Sequence, residues 1–161
     1  MNEWDYTMMQ LALEEAESAA RDGEVPVGAV LTMDREIIAK DHNRSLSLAD
    51  PTAHAEMQVL REAGKKMGNY RLPNMTLYVT LEPCLMCAGA ILQARLARLV
   101  FGAADPKAGA VASLFQVLHD KRLNHMVATE SGIYHEACGN LLSRFFQKKR
   151  VIAPTDLREK S

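Results

Sequence analysis

The sequence has few cysteines, few aromatic residues and no long apolar run, and these shortages exclude several classes of protein. Three cysteines in 161 residues cannot build the disulfide framework of a small secreted domain. No apolar run approaches the roughly 20 residues that a membrane-spanning helix needs, and the acidic N-terminus does not match a secretory signal. Internal repeats and low-complexity tracts are also absent. We therefore expect a cytoplasmic protein that does not cross a membrane.

The remaining composition is that of an ordinary globular protein. Hydrophobic residues make up 48% of the chain and charged residues 24%, and 161 residues are enough to bury a substantial core. One domain is the simplest expectation for this length. We place a single domain at residues 1–150 and expect residues 151–161 to form a flexible C-terminal tail.

Hydrophobic periodicity predicts helices and strands that alternate along most of the chain. A hairpin comes first and helices separate the later strands, which favours mostly parallel strands from the second onward. We therefore predict a three-layer α/β/α domain around a central five-stranded mixed sheet, with Thr52 as the N-cap of the second helix. The predicted helices cover 5–21, 53–66, 84–95, 134–150 and a short segment near 114–119, and the predicted strands cover 25–32, 37–40, 76–80, 99–102 and 126–131.

Charge is distributed unevenly, although the formal net charge is only −1. Residues 1–94 carry 8 Lys and Arg against 14 Asp and Glu, whereas residues 95–161 carry 11 against 6. A cluster of basic residues falls on the last predicted helix. This asymmetry favours a polyanionic partner, but a solvated basic face would have the same composition.

The strongest chemical signal joins His54 and Glu56 to a downstream cysteine pair, Cys84 and Cys87. One imidazole and two thiolates are ligands that suit Zn²⁺, and three protein ligands leave the fourth tetrahedral position for water. The two predicted helices that carry these residues follow strands with the same crossover hand. Their N-termini should therefore meet at one edge of the sheet, outside the carboxyl ends of the strands. Glu56 is then placed to handle the proton of that water.

Spacing alone leaves two other interpretations of these residues open. The two cysteines could be a redox pair, which would not need the upstream histidine and glutamate. A closed structural zinc site would need a fourth ligand. The candidates for that ligand by residue type are Cys138, His119, His125 and His135, although none has local ligand spacing and Cys138 is expected to be a small core residue.

The pattern His-x-Glu followed by Pro-Cys-x-x-Cys resembles the signature of the zinc-dependent nucleobase deaminases. Further segments narrow the resemblance to the tRNA-specific adenosine deaminases. This resemblance implies a cytidine-deaminase-like fold, one Zn²⁺ per subunit, a homodimer and a tRNA anticodon stem-loop as partner. The implied reaction is hydrolysis of wobble adenosine to inosine, in an arginine tRNA, by zinc-activated water with Glu56 as proton shuttle. The segments concerned are 24–30, 50–56, 77–84, 86–90, 100–103 and 141–146.

The resemblance also assigns substrate contacts by position. Asn43 should hydrogen-bond the base or its ribose, Val25 and Val27 should form apolar walls around the base, and Asp105 should contact the substrate backbone or ribose. The alternative for Asn43 is a turn residue. Of two adjacent phenylalanines on the last helix, we expect one to be buried and one exposed, with core packing as the alternative role. The residues of that helix that should meet the anticodon loop are Phe145, Phe146, Lys149 and Arg150.

One departure from the family pattern is Ala112, which stands where glycine is usual in the resembled family. Alanine would be strained there if the position required a positive φ. The loop 103–113 would then differ from the family, whereas the chemistry of the metal site would not.

Two competing functions remain beside a tRNA deaminase. A deaminase of free guanine, cytosine or a nucleoside would share the zinc site but would not need the basic C-terminal helix. An RNA-binding module that keeps zinc only for folding would not need Glu56, so the intact His-x-Glu motif argues against it.

Overall fold

A computed structural model describes the backbone of residues 1–159 and the side chains of residues 1–151. Within these residues, no helix is both long enough and apolar enough to cross a membrane. The elements in chain order are α1 (Glu3–Arg21), β1 (Gly28–Met33), β2 (Glu36–His42), α2 (Ala55–Met67), β3 (Met75–Leu81), α3 (Leu85–Ala94), β4 (Arg98–Ala103), a 3-10 turn (Val117–His119), β5 (Ala128–Ser131) and α4 (His135–Glu159).

The five strands form one mixed sheet in the order β2-β1-β3-β4-β5. Strand β1 runs antiparallel to both of its neighbours, whereas β3, β4 and β5 are parallel to one another. Strands β2 to β5 consequently point the same way, as the sequence predicted. The hairpin between β1 and β2 turns at Asp34 and Arg35, both with positive φ, which is the backbone of a tight primed turn.

Alternate residues of the central strands face opposite layers of helices. Leu31, Leu77 and Leu99 pack in the core under α2 and α3, whereas Val30 and Tyr78 pack in a separate core under α1. This alternation follows from the two-residue period of a strand. The predicted three-layer α/β/α architecture with a five-stranded mixed sheet is therefore confirmed.

Helix α1 lies so close to the sheet that one position of β1 must be glycine. A Cβ at Gly28 would overlap the carbonyl of Ala12 and the amide of Ala16 in α1. The same helix is held at its start by Asp5, which is 1% exposed and accepts hydrogen bonds from Tyr78 Oη at 2.6 Å and from both terminal nitrogens of Arg98. This cluster ties α1 to β3 and β4 on the face of the sheet opposite α2 and α3.

Two helices start later than the sequence predicted, and the difference matters for the chemistry. Thr52 does not cap α2; the N-cap is His54, with an extended backbone at φ −75° and ψ 155°. Cys84 is likewise the N-cap of α3, at φ −75° and ψ 176°, rather than its first helical residue. Periodicity locates apolar faces, and it does not distinguish the last extended residue from the first helical one.

The C-terminal helix continues beyond Arg150, where the sequence pattern placed its end. Helix α4 runs to Glu159. The flexibility of residues 151–161 stays a prediction, and its last two residues, Lys160 and Ser161, lie outside the described part of the chain.

Candidate active site

The three predicted metal ligands meet at the N-termini of α2 and α3. His54 Nδ1 lies 3.6 Å from Cys84 Sγ and 3.5 Å from Cys87 Sγ, and the three ligand atoms all lie within 4.8 Å of one another. Strands β2 and β3 deliver the chain to the same edge of the sheet, so residues thirty positions apart become neighbours. The N-cap conformation of His54 and Cys84 turns both side chains away from their helices and toward this point.

These distances fit a tetrahedral zinc ion. Zn–N and Zn–S bonds of about 2.1 and 2.3 Å at a tetrahedral angle separate nitrogen and sulfur by about 3.6 Å, which matches the observed 3.5 and 3.6 Å. Hydrogen bonds from Cys87 and His54 lower the pKa of the Cys84 thiol to about 4, whereas the hydrogen bond with Cys84 and burial raise the pKa of the Cys87 thiol. One thiolate is therefore favoured by the protein alone, and the second would form with the metal. The donor set and its spacing therefore fit Zn²⁺.

Glu56 is a buried carboxyl group beside the three ligands. Its residue is 4% exposed, and it sits in the first turn of α2, two positions after His54. Burial raises the pKa of this carboxyl, and the nearby His54 opposes the rise. A carboxyl group whose pKa is raised holds a proton more readily than an ordinary glutamate, which favours a role in acid–base catalysis.

The residues that the resemblance assigned to the base line one cleft with this group. Its volume is about 230 Å³, which is below the range of about 300–1,000 Å³ typical of sites for drug-sized ligands and suits a single nucleobase. The cleft is lined by Val25, Val27, Asn43, Ser45, His54, Glu56, Leu81, Glu82, Cys84, Asp105 and Ala108.

Asn43 has a structural role in addition to its place in the cleft. Its Oδ1 accepts a hydrogen bond of 2.8 Å from the backbone N–H of Ala55, the first residue of α2. This bond fixes the orientation of the amide, because only the oxygen can accept. The amide nitrogen is left to donate, and Asn43 is only 9% exposed at the wall of the cleft. The side chain therefore joins the start of α2 to the pocket.

The loop that follows β4 forms another wall, and a buried carboxylate holds it. Asp105 accepts hydrogen bonds from the N–H groups of Lys107 and Ala108 and lies at the mouth of the cleft. Beneath the loop, Glu82 is 2% exposed and accepts backbone hydrogen bonds from Asp105 and from the stretch 111–113. Burial alone would raise the pKa of Glu82, but the hydrogen bonds from Ser113 and from the loop amides lower it to about 2.

Sequence reasoning did not single out Glu82 or Glu24. Glu24 holds the loop between β2 and α2, on the opposite side of the cleft. Glu24 is 2% exposed and accepts hydrogen bonds from the N–H groups of Leu46 and Ser47 and from the Ser47 hydroxyl. The available signal was a charged residue next to an apolar strand, and it does not identify the hydrogen-bond donors.

Ala112 does not have a positive φ, so alanine is unstrained there and the loop keeps its contact with Glu82.

A groove of about 790 Å³ opens from the cleft and runs along α4. The two cavities share Val25, Leu81, Asp105 and Ala108. The other wall of the groove is lined from α4 by Gly139, Leu142, Ser143, Phe146, Lys149 and Arg150.

The two phenylalanines of α4 differ from the expectation that one would be buried. Phe146 is 43% exposed and lines the groove, while Phe145 is only half-buried and does not line it. The ammonium group of Lys149 lies 5.0 Å from the centre of the Phe145 ring, within the range of a cation–π contact. Neither ring belongs to a core cluster, whereas Cys138 and Leu142, earlier on α4, pack against the core.

The alternative fourth ligands do not join the metal group. Cys138 is buried against Leu13 and Ala103 on the other face of the sheet, so its role is core packing. His119 bonds Thr129, and His125 bonds the carbonyl of Leu96. His135 bonds the carbonyl of Gly132. Within the described residues, the group capable of holding a metal consists of His54, Cys84 and Cys87.

Comparison with known proteins agrees with this fold and site. The sequence model of the family described as MafB19-like deaminase matches residues 2–150. A tRNA-specific adenosine deaminase of Haemophilus influenzae is 54% identical over 92% of this chain and 87% of its own length. A solved tRNA:A34 deaminase, from a study of A-to-I editing at the wobble position, is 47% identical with a TM-score of 0.82 over 84% of this chain and 99% of that one.

A solved guanine deaminase of Bacillus subtilis is also similar, at 39% identity and a TM-score of 0.60, over 65% of this chain and 66% of that chain. The fold and the His–Cys–Cys group thus define the class of protein, which is that of the nucleobase deaminases. Within this class, the chain belongs to the family of tRNA-specific adenosine deaminases.

Proposed function

We propose that this protein deaminates adenosine at the wobble position of tRNA to inosine. The observation that carries the proposal is a base-sized cleft, containing the His54–Cys84–Cys87 group and the buried Glu56, which opens into a groove with a basic end. Two of the relatives named above are a tRNA-specific adenosine deaminase and a tRNA:A34 deaminase, and the chain covers 87% and 99% of their lengths.

Zinc held by His54, Cys84 and Cys87 would act as a Lewis acid that lowers the pKa of a bound water when the ion is present. Glu56 accepts a proton from the attacking water and delivers it to N1 of the adenine. The water oxygen bonds to C6. Glu56 then takes the remaining proton from that oxygen and transfers it to the amino group, so the C6–N6 bond breaks and the oxygen becomes the C6 carbonyl. Water and adenosine thus become inosine and ammonia. The burial of Glu56 keeps its proton transfers away from bulk solvent.

The other residues of the cleft hold the base. The Asn43 amide nitrogen donates to an acceptor on the base or ribose, since its oxygen is committed to Ala55. Val25 and Val27 cover the faces of the ring, and Asp105 meets the backbone or ribose at the entrance. A base from a single-stranded loop is easier to extrude into such a pocket than a paired one.

The anticodon stem-loop lies in the groove. Lys149 and Arg150 neutralise phosphates, and the exposed ring of Phe146 provides a surface on which a flanking base stacks. The ammonium group of Lys149 lies over the Phe145 ring, and this cation–π contact orients the lysine. A homodimer with one zinc per subunit, an arginine tRNA as substrate and a cytoplasmic location complete the proposal, and they rest on the family resemblance.

A direct assay tests the reaction. Purified protein with measured zinc content is incubated with an anticodon stem-loop that carries adenosine at the wobble position, and inosine is quantified. The matched control is the same stem-loop with that adenosine moved into the stem. We expect inosine only from the loop substrate and loss of activity after chelation, with recovery on adding zinc. Zinc-loaded protein that forms no inosine would refute the proposal.

The second candidate is a deaminase of free guanine or cytosine, which the guanine deaminase relative makes worth testing. Such an enzyme has no use for Phe146, Lys149 and Arg150 in a groove continuous with the cleft. Free guanine, cytosine and adenosine are therefore assayed beside the stem-loop. Turnover of a free base at a rate comparable to the stem-loop would favour this candidate.

A further inference from the structure

Glu82 is an internal anion around which the loop 105–113 is wrapped. Its two carboxylate oxygens accept four backbone N–H bonds, of 3.0 Å from Asp105, 3.1 Å from Val111, 2.8 Å from Ala112 and 2.9 Å from Ser113. A fifth bond, of 2.5 Å, comes from the Ser113 hydroxyl. Among the side chains of residues 1–151, no lysine or arginine pairs with Glu82. Amide dipoles from a single loop therefore compensate the charge.

The fit between the loop and this carboxylate extends to one glycine. A Cβ at Gly109 would overlap all three atoms of the Glu82 carboxylate group. The N–H of Ala110 also bonds the carbonyl of Pro83, at 2.9 Å. The loop is thus attached at Glu82 and Pro83, directly before the metal-site residue Cys84.

The same loop supplies one wall to both cavities. Asp105 and Ala108 line the cleft and the groove, and Lys107 lines the groove. None of these three side chains packs in the core, since Asp105 is half-buried and the other two are exposed. Ala110 and Val111, later in the loop, are buried in the main core, so the exposed stretch before them is the part whose placement relative to Glu56 depends most on the backbone bonds to Glu82.

We propose that Glu82 is the positioning residue that holds the loop 105–113 in its substrate-binding conformation, and that its negative charge, rather than its bulk, is what holds it. This inference rests on the proposed function, because the loop is taken to meet the RNA. Glu82 does not touch the reacting atoms, so its loss should weaken substrate binding more than it slows the chemistry.

Glu82→Gln is the informative variant, because glutamine has nearly the same shape. It replaces an oxygen that accepts up to three N–H bonds by an NH₂ group that cannot accept any. Buried donors left without an acceptor destabilise the loop locally. Misplacement of a binding group by about 1 Å can cost about 100-fold in rate, so we expect kcat/KM for the stem-loop to fall about 10- to 100-fold. Most of that change should appear in KM.

Hydrogen exchange provides a readout that is independent of activity. Amides of residues 105 and 111–113 should exchange at least about tenfold faster in Glu82→Gln than in the wild type. Glu24→Gln is the matched control for location, because it makes the same change in a carboxylate that is buried to the same extent. In that variant the faster exchange should appear at residues 46 and 47, with residues 111–113 unaffected.

A double-mutant cycle with Gly109 tests whether the carboxylate and the loop act together. Gly109→Ala should mimic Glu82→Gln, because the added methyl group displaces the loop from the carboxylate. In a Glu82→Ala background the methyl group has room, so Gly109→Ala should add little further loss. This non-additivity is measured as a coupling energy.

The outcomes separate this inference from the proposed function. The proposed role of Glu82 would be overturned if a folded, zinc-loaded Glu82→Gln protein showed unchanged exchange at 111–113 and an unchanged KM. It would also be overturned if zinc were lost in proportion to activity, because the effect would then lie at Cys84. Should Glu82→Gln fail to fold, Ser113→Ala, which removes one of the five bonds, must still raise KM for the inference to stand. A wild type that makes no inosine refutes the proposed function, while the exchange result stands on its own.

Discussion

Replacing Glu56 by glutamine should slow the chemical step by orders of magnitude without disturbing the fold, the metal site or RNA binding. The side chain is 4% exposed in the first turn of α2, and glutamine fills the same space but cannot carry the proton. General acid–base catalysis contributes about 10²- to 10⁴-fold, so kcat should fall by that factor, which corresponds to about 2.7–5.4 kcal/mol of transition-state stabilisation. Because burial disfavours the charged carboxylate, the neutral amide should not lower stability.

The assay is single-turnover formation of inosine from the stem-loop, with zinc content, dissociation constant and melting temperature measured on the same preparation. Glu62→Gln is the matched control, since it makes the same change on the same helix where the side chain is 44% exposed and pairs with Lys66 at 3.0 Å. A surface pair of this kind contributes about 0.5 kcal/mol or less. If zinc-loaded Glu56→Gln retained a rate within about tenfold of the wild type, Glu56 could not be the proton shuttle.

Three further predictions follow from the same geometry. Asn43→Asp keeps the oxygen that accepts from Ala55 but loses the amide donor, so it should leave the melting temperature nearly unchanged while raising KM about tenfold or more. Asn43→Ala should in addition lower stability by about 1 kcal/mol. Equal melting temperatures for the two variants would show that the bond from Ala55 to Asn43 does not stabilise the start of α2. Lys149→Gln should weaken stem-loop binding and reduce the slope of log Kd against log salt by about 0.7–1, with Lys65→Gln on α2 as the control, and an unchanged slope would remove Lys149 from the RNA contact. Asp5→Asn should destabilise the fold by about 2–3 kcal/mol at neutral pH, because hydrogen bonding to Arg98 holds the pKa of Asp5 well below its usual range. Stability from a depressed pKa is present above the unfolded pKa of about 3.9 and is lost as the pH falls below it. The difference in urea unfolding between variant and wild type should therefore shrink below about pH 4, and a difference that is constant with pH would exclude the ion pair as its source.

The ligand set could be predicted from the sequence because both halves of it have short spacing. His54 and Glu56 are two residues apart, and Cys84 and Cys87 are three apart, so local geometry restricts where each pair can point. The alternation of helices and strands then predicts that the two halves meet, since parallel strands with the same crossover bring helix N-termini to one edge. The distances of 3.5 and 3.6 Å agree with that reasoning.

The helix starts could not be located to the residue from the sequence. His54 and Cys84 are N-caps with extended backbones, and this decides how their side chains approach each other. As residues of a regular helix, His54 and Glu56 would point to different faces. As N-cap and first-turn residue, both line the same cleft.

The sequence by itself determined the layer architecture, the donor set and its spacing, because apolar periodicity and ligand chemistry are local properties of the chain. Only the tertiary structure decided that β1 lies between β2 and β3, that Asn43 holds the start of α2, and that Glu82 collects N–H groups from residues 23 to 31 positions away. A carboxylate in a sequence does not reveal its donors, because backbone amides are present at nearly every position and folding alone selects the ones that converge.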